Sequence, residues 1–209
     1  MVDSDVVDQL SARVATGARL DDDELETLGE TNVLALGMLS ETARRRTGRQ
    51  VTYARVHTIV DPLVIEGSIP TTASEVRVMS LPASLDEAAT LVGRVRALAG
   101  ADVRITAFSL ADLCDRSAHG WGELSRVARA LVEAGADDVA ELPVDRIEPL
   151  SDMVRLIREG GLAAGRFTVD QPAGSRRLDL IRRVRGLQEQ VGGIARFAPL
   201  ARRPPTDVP

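Results

Sequence analysis

Lysine is absent from the 209-residue chain; all 26 Lys-plus-Arg positions are arginine. That excludes Schiff-base chemistry and the lysine phosphate clamp of a P-loop. Cysteine occurs once, at Cys114, which rules out an intramolecular disulfide, a multi-cysteine zinc site and a cluster that needs several thiolates. Aromatic residues make up 2 % (Tyr53, Phe108, Trp121, Phe167, Phe197). The core must therefore be aliphatic, and rings are too few for a stacking platform on single-stranded nucleic acid. The two histidines, His57 and His119, lie far apart with no metal-ligand spacing around either, so no metal is expected. No apolar run reaches membrane length, and Met1–Asp5 lacks the basic start and apolar core of a signal peptide, so a cytoplasmic protein without membrane contact is expected. The missing lysines and the single asparagine, Asn32, fit the codon bias of a GC-rich genome and hint at a bacterial source.

What is present is ordinary for a globular chain. Hydrophobic residues are 44 % and charged residues 27 %, and this length buries roughly 70 % of the surface its unfolded chain exposes. The net charge of -5 offers no electrostatic footprint for nucleic acid. Charge is uneven: Met1–Glu30 carries nine acids and two arginines, Ser151–Pro209 eleven arginines and six acids. Solvated faces account for this more simply than a partner does.

Periodicity gives helices first. Ser4 caps a helix with Val6, Val7, Leu10 and Val14 on one side, ending near Gly17; Asp21–Glu24 suits the positive end of a second helix. A third, over 31–46, puts Leu34, Met38 and Leu39 on an apolar face and ends in Arg44-Arg45-Arg46, cations that complement a helix C-terminus. β-rich runs then appear at 51–60, 75–81, 102–108, 137–142, 165–169 and 194–200, with helical patterns such as 84–99 and 175–191 between them. Strands alternating with helices imply parallel βαβ units, either an incomplete barrel or an open doubly wound sheet. Asp61–Thr72, with two prolines, is expected to be a loop and the proline-rich 202–209 a flexible tail. Boundaries are expected at 1–50 (helical), 51–201 (α/β) and 202–209.

In such folds functional groups sit past the strand C-termini. Those positions hold His57 and Asp61, Ser80, Ser109, Glu141, Asp170 and Arg202-Arg203. Glu141 and Asp170 could form a carboxylate pair with His57 as base, the weak catalytic candidates of the chain. The competing role for Asp170, and for Asp145, is turn or cap. Cys114 falls in a helix after the third strand as a buried structural thiol, 117–121 forms a helix–helix junction, and Gly160-Gly161 and Gly192-Gly193 are helix C-caps rather than phosphate loops.

Several segments resemble the radical S-adenosylmethionine (SAM) enzymes of the aminofutalosine synthase and dehypoxanthinyl futalosine cyclase type, which serve the futalosine route to menaquinone. They are Val33–Leu39, Ala43–Tyr53, Ser74–Val78, Val103–Ser109, Leu131–Asp137 and, most specifically, Leu187–Leu200 with its Gly192-Gly193. The resemblance implies α/β architecture as an incomplete TIM-like (βα)6 barrel with an N-terminal helical extension. The departures are as telling. Family members carry CxxxCxxC after the first strand, whereas Asp61–Thr72 holds no cysteine and is too short for that loop and its helix. The glycine pair after the family's second strand is replaced by Met79-Ser80-Leu81-Pro82, and the glycine-rich turn after the fourth by Glu141–Asp145. The iron–sulfur cluster and SAM are therefore expected to be absent. The implied protein is a non-catalytic pseudoenzyme of menaquinone synthesis, binding a small molecule or pairing as a homodimer or with a full-length radical SAM paralogue. The alternatives are an enzyme with a remodelled acid–base site and a binding module for a nucleoside-like ligand.

Overall fold

The computed structural model describes residues 4–48, 54–60, 69–171 and 176–201. Two units emerge, 1–53 and 54–209.

The first unit is helical: α1 (Ser4–Thr16), α2 (Asp22–Glu30) and α3 (Val33–Thr47). Each boundary has a local cause. Gly17 ends α1 at φ +75°, a conformation that costs other residues a Cβ clash. Asp21 forms a reciprocal capping box with Glu24, and Asn32 accepts from the backbone N–H of Leu34 and Ala35 at 3.1 and 3.0 Å. Leu10 of α1 and Leu39 of α3 are the buried apolar residues here. The expected apolar face of α3 is only partly realised, since Leu34 and Met38 are 80 % and 71 % exposed. Leu34 and Met38 share a stripe at i,i+4, and Leu39 points about 100° away from Met38. Packing uses the Leu39 side. Arg44 and Arg45 pair with Glu41 of the same helix at 3.1 and 3.5 Å, in keeping with a local role.

The second unit alternates strand and helix: β1 (Val56–Ile59), β2 (Glu75–Val78), α4 (Leu85–Leu98), β3 (Arg104–Ser109), α5 (Leu110–Arg116), α6 (Leu124–Glu133), β4 (Asp138–Pro143), α7 (Leu150–Glu159), β5 (Arg166–Val169), α8 (Arg177–Gln190) and β6 (Arg196–Ala201). All six strands are parallel and lie in chain order β1-β2-β3-β4-β5-β6. The order never reverses, so the sheet has no topological switch point of the doubly wound kind. β1 is shorter than the sequence suggests, and residues 51–53 of that run lie outside the described residues, as do 61–68 and the tail 202–209. Ser117–Trp121 is a π-type turn joining α5 to α6, broken by non-helical His119 and Gly120, which matches a helix–helix junction.

Strand polarity alternates. Val76, Val78, Ile105, Ala107 and Val139 are fully buried in a cluster with Leu91, Val92 and Val95 of α4 and Val127 and Leu131 of α6. Glu75, Arg77, Arg104, Thr106 and Asp138 occupy the intervening positions. Two guanidinium groups bind the connections between elements. Arg96 donates to Gly135 O, Val103 O and the Asp137 carboxylate at 2.6–3.0 Å. Arg158 donates to Val191 O, Ala164 O and Gly192 O at 2.9–3.2 Å. Carbonyls of the loops that join helix to strand thus gain partners. At Gly160 a Cβ would lie 2.3 Å from Ser125 O and 2.4 Å from Ala128 Cβ, so glycine is what lets the end of α7 approach α6. Among the described residues no helix is long and apolar enough to cross a membrane.

Candidate functional site

The strand register sets the level of each sequence-derived candidate. His57 is the second residue of β1 and pairs with Val76, which pairs with Ile105; Ser109, not Ile105, pairs with Glu141. Four residues of strand separate those levels, about 13 Å at 3.3 Å per residue. His57 therefore lies in the N-terminal half of the sheet, too far from Glu141 to exchange a proton with it. The expectation that it follows a strand C-terminus is corrected: Val56–Ile59 is a strand through His57.

Glu141 is 7 % exposed and Asp170 5 %. Their strands are neighbours, but Leu142 faces Phe167, so Asp170 stands four residues beyond the level of Glu141. The position opposite Glu141 belongs to Ser109. Asp170 instead donates its backbone N–H to the Asp145 carboxylate at 2.9 Å, and Gln171 N–H donates to the other Asp145 oxygen at 2.8 Å. Asp145 thus fastens the ends of β4 and β5 together, a role close to the turn function expected of it, although no helix starts at Arg146. Ser80 is half-buried beyond β2; Asp61 and Arg202-Arg203 lie outside the described residues.

The Ser109 neighbourhood is unusual in two respects. Phe108, fully buried, has φ +61°, a left-handed conformation that a bulky side chain adopts only when its surroundings enforce it. Ser109 Oγ is buried with no hydrogen-bond partner among the described residues, and so is Thr168 Oγ1 on β5. Orphaned hydroxyls in a protein interior are uncommon and call for a physical explanation. Strained backbone, an unsatisfied hydroxyl and a buried carboxylate together at the C-terminal ends of β3 and β4 make a hydrogen-bonding site. With His57 remote, they do not make a nucleophile–base relay.

Two cavities of the α/β unit bear on ligand binding. One of about 240 Å³ at the ends of β4 and β5 has the charged side chains of Asp145, Glu148, Arg176 and Arg183 on its walls. The larger, about 670 Å³, sits among α5, the π-type turn, α6 and α7, and is mostly apolar, with Cys114, Leu124, Met153 and Leu156. Burial, helped by the Asp115 charge, pushes the Cys114 thiol up to about 11. The thiol is therefore protonated at neutral pH and a poor nucleophile or ligand. Trp121 packs beside this region and donates to Ala83 O at 3.2 Å. Among the described residues no group of three His, Cys, Asp or Glu side chains could hold a metal ion.

Sequence reasoning missed a second polar group, at the N-terminal ends of the strands. Glu75 accepts from Arg77 at 2.5 Å and from Thr106 at 3.1 Å, and Arg196 of β6 reaches it at 3.6 Å. Asp138 accepts from Arg104 at 2.5 Å and from Gly165 N–H at 3.2 Å. Burial raises the Glu75 carboxyl, but the hydrogen bond and charge of Arg77, with Thr106 and Arg166, outweigh it and hold the group below its ordinary range. For Asp138 burial wins over Gly165 and Arg104, and the group is raised. The signal was in the sequence. Glu75-Val76-Arg77-Val78 and Arg104-Ile105-Thr106-Ala107 alternate polar with apolar, where parallel strands covered on both faces are continuously apolar.

Searches against protein-family models and against curated proteins give no match to this chain.

Proposed function

We propose that the chain is a non-catalytic pseudoenzyme on an incomplete (βα)6 barrel of the aminofutalosine synthase type, working by binding in menaquinone synthesis in place of cutting SAM. Curvature supports the scaffold. In a flat sheet β2 and β6 would be four strand spacings apart, about 19 Å, whereas the Arg196 and Glu75 side chains on those strands meet at 3.6 Å. A strongly curled wall is what such an ion pair requires. The observation that carries the loss of chemistry is the place of the only thiol. Cys114 is on α5, after β3, and protonated, whereas a [4Fe-4S] cluster needs several thiolates; the residues present do not fit the group.

Anaerobic incubation with iron, sulfide and SAM tests this reading. The expected result is no cluster absorbance, iron far below one cluster per chain and no SAM cleavage. A stoichiometric cluster that cleaves SAM overturns it.

Partnering follows from the two ends of the sheet. Among the described residues β1 is an edge strand, with Val56 (37 % exposed) its first residue and Val60 (71 % exposed) just past its end, and open edges with exposed apolar residues invite pairing. The partner is a second copy of the chain or a full-length paralogue. Sedimentation at micromolar concentration is expected to give twice the chain mass, or the chain to co-purify with the paralogue; a monomer with no paralogue overturns the pairing.

A second reading is favoured by the unsatisfied Ser109 hydroxyl opposite Glu141 and that of Thr168 opposite Pro143, two residues further along β4. It makes this end of the sheet a binding site for a nucleoside-like ligand. A saturable rise in melting temperature with such a compound, lost in Ser109→Ala, supports it.

A further inference from the structure

The larger cavity has a wall that none of the preceding roles uses. α5 stops at Arg116, and the chain crosses to α6 through the π-type turn, with Gly120 at φ +112° and Gly122 at φ +89°. Three hydrogen bonds brace that turn. Ser117 Oγ donates to Gly122 O, His119 Nδ1 donates to Asp115 O at 2.6 Å, and Trp121 Nε1 donates to Ala83 O at 3.2 Å. The wall is thus in place before anything binds, as in most small-molecule sites. Within the volume of about 670 Å³, Cys114, Leu124, Met153 and Leu156 give a mostly apolar lining, and the flexible thioether of Met153 adapts to what it touches. That size suits a small molecule. Ionised charge on the lining comes from one residue, Glu123. Its side chain is exposed and, although at the N-cap position of α6, makes no capping hydrogen bond. Burial, and after it the charge of Asp115, raises the Cys114 thiol on this wall, so Asp115 is felt there despite Arg146 at 3.8 Å. The nearby cation, Arg116, stands over the Trp121 ring, 6.0 Å from its centroid.

We propose that this cavity binds a compact amphiphilic amine, its apolar body on Leu124, Met153 and Leu156 and its cationic end at Glu123. Removing the body from water drives binding, while the carboxylate selects the sign of the charge. An anionic amphiphile of the same length meets Glu123 and Asp115 as like charges. The protonated thiol of Cys114 takes no covalent part. The site shares no residue with Ser109, Glu141 or Thr168, so it stands whether or not the proposed function is right.

Displacement of a neutral reporter dye, N-phenyl-1-naphthylamine, tests it on the full chain at neutral pH and low salt. The competitors are n-octylamine, n-octanol and n-octanoate, each below its micellar concentration. The dye is expected to brighten saturably, with a single site per chain. n-Octylamine is expected to displace it at about fivefold lower concentration than n-octanoate, the scale of an exposed ion pair, with n-octanol between them. Glu123→Gln is expected to keep dye binding and to remove most of that preference. Ala118→Trp, at an exposed position on the wall, is expected to fill the mouth and abolish dye binding with the melting temperature unchanged. Should that variant melt lower, Glu123→Gln, also at an exposed position, carries the test alone. No dye binding, or dye binding that a folded Ala118→Trp leaves intact, overturns the site. Equal displacement by n-octylamine and n-octanoate in wild type, or a preference that survives Glu123→Gln in full, overturns the amine.

Discussion

Glu75→Gln is expected to destabilise the α/β unit by about 3–5 kcal/mol, the cost of breaking a buried ion pair from one side. The carboxylate is 6 % exposed and accepts from Arg77 and Thr106, with Arg196 at 3.6 Å. Its amide replacement keeps the volume and one acceptor but leaves Arg77, already carrying an unpartnered Nε, without its counter-charge. Urea unfolding at pH 7 measures the loss. The pH dependence follows from the sign of the shift. The folded pKa of Glu75 lies below its unfolded value, so its contribution is present above the unfolded value, about 4.3, and is lost as pH falls through the lower folded one. Asp138 is raised. It acts in the opposite sense, favouring the folded state at pH below its unfolded value and ceasing to do so as pH rises through the folded one. The acid limb of wild type is therefore shallower than Glu75 alone would make it. Glu75→Gln removes both the Glu75 contribution and the Glu75 charge that helps to raise Asp138, so it is expected to flatten the acid limb relative to wild type. A variant that loses less than 1 kcal/mol, or that keeps the wild-type acid limb, would show that Glu75 does not hold the arginines.

Phe108→Ala is expected to cost about 3–5 kcal/mol, the usual range for emptying a large buried aromatic site. The more discriminating comparison is with Phe108→Gly. In an ordinary strand glycine is worse than alanine, because it loses more backbone freedom on folding. At φ +61° the order reverses, since alanine pays the left-handed penalty of roughly 1–2 kcal/mol and glycine does not. Phe108→Gly is thus expected to be more stable than Phe108→Ala by about 1 kcal/mol, measured by denaturant midpoints at equal slope. If alanine is the more stable, the left-handed backbone is not a strained feature of this site.

Much of the fold was legible because its causes are local. Ser84 and Glu87 form the capping box that starts α4, and Gly161 and Gly192 end helices at φ +91° and +66°. Five of the six strands begin within two residues of the β-rich runs, because β-branched and apolar residues cluster there. The misses were tertiary. Leu34 and Met38 have the spacing of a packed face, yet α1 meets the Leu39 side. Glu141 and Asp170 each come late in a β-rich run or just after one and suggest a pair; Glu141 in fact lies inside β4, and register places Ser109 opposite it. The arginine group could not be assembled from the sequence either, because it takes the curl of the sheet to carry Arg196 back to Glu75. Nor does residue type reveal that a hydroxyl is orphaned, as at Ser109 and Thr168.

The unbroken strand order also governs how the chain can acquire its structure. Every strand pairs only with the strand next to it in the chain, so no contact of the sheet waits for a distant segment to arrive. The α/β unit can grow during synthesis from the N-terminal strands onward, each new helix and strand docking on an edge already formed, and modest sequence separation between partners favours rapid folding. The exception is the contact of Arg196 with Glu75, which joins the second strand to the last. The charge group it completes stays open until β6 is in place, so it closes at the end of assembly, as a latch on a wall that is otherwise built strand by strand.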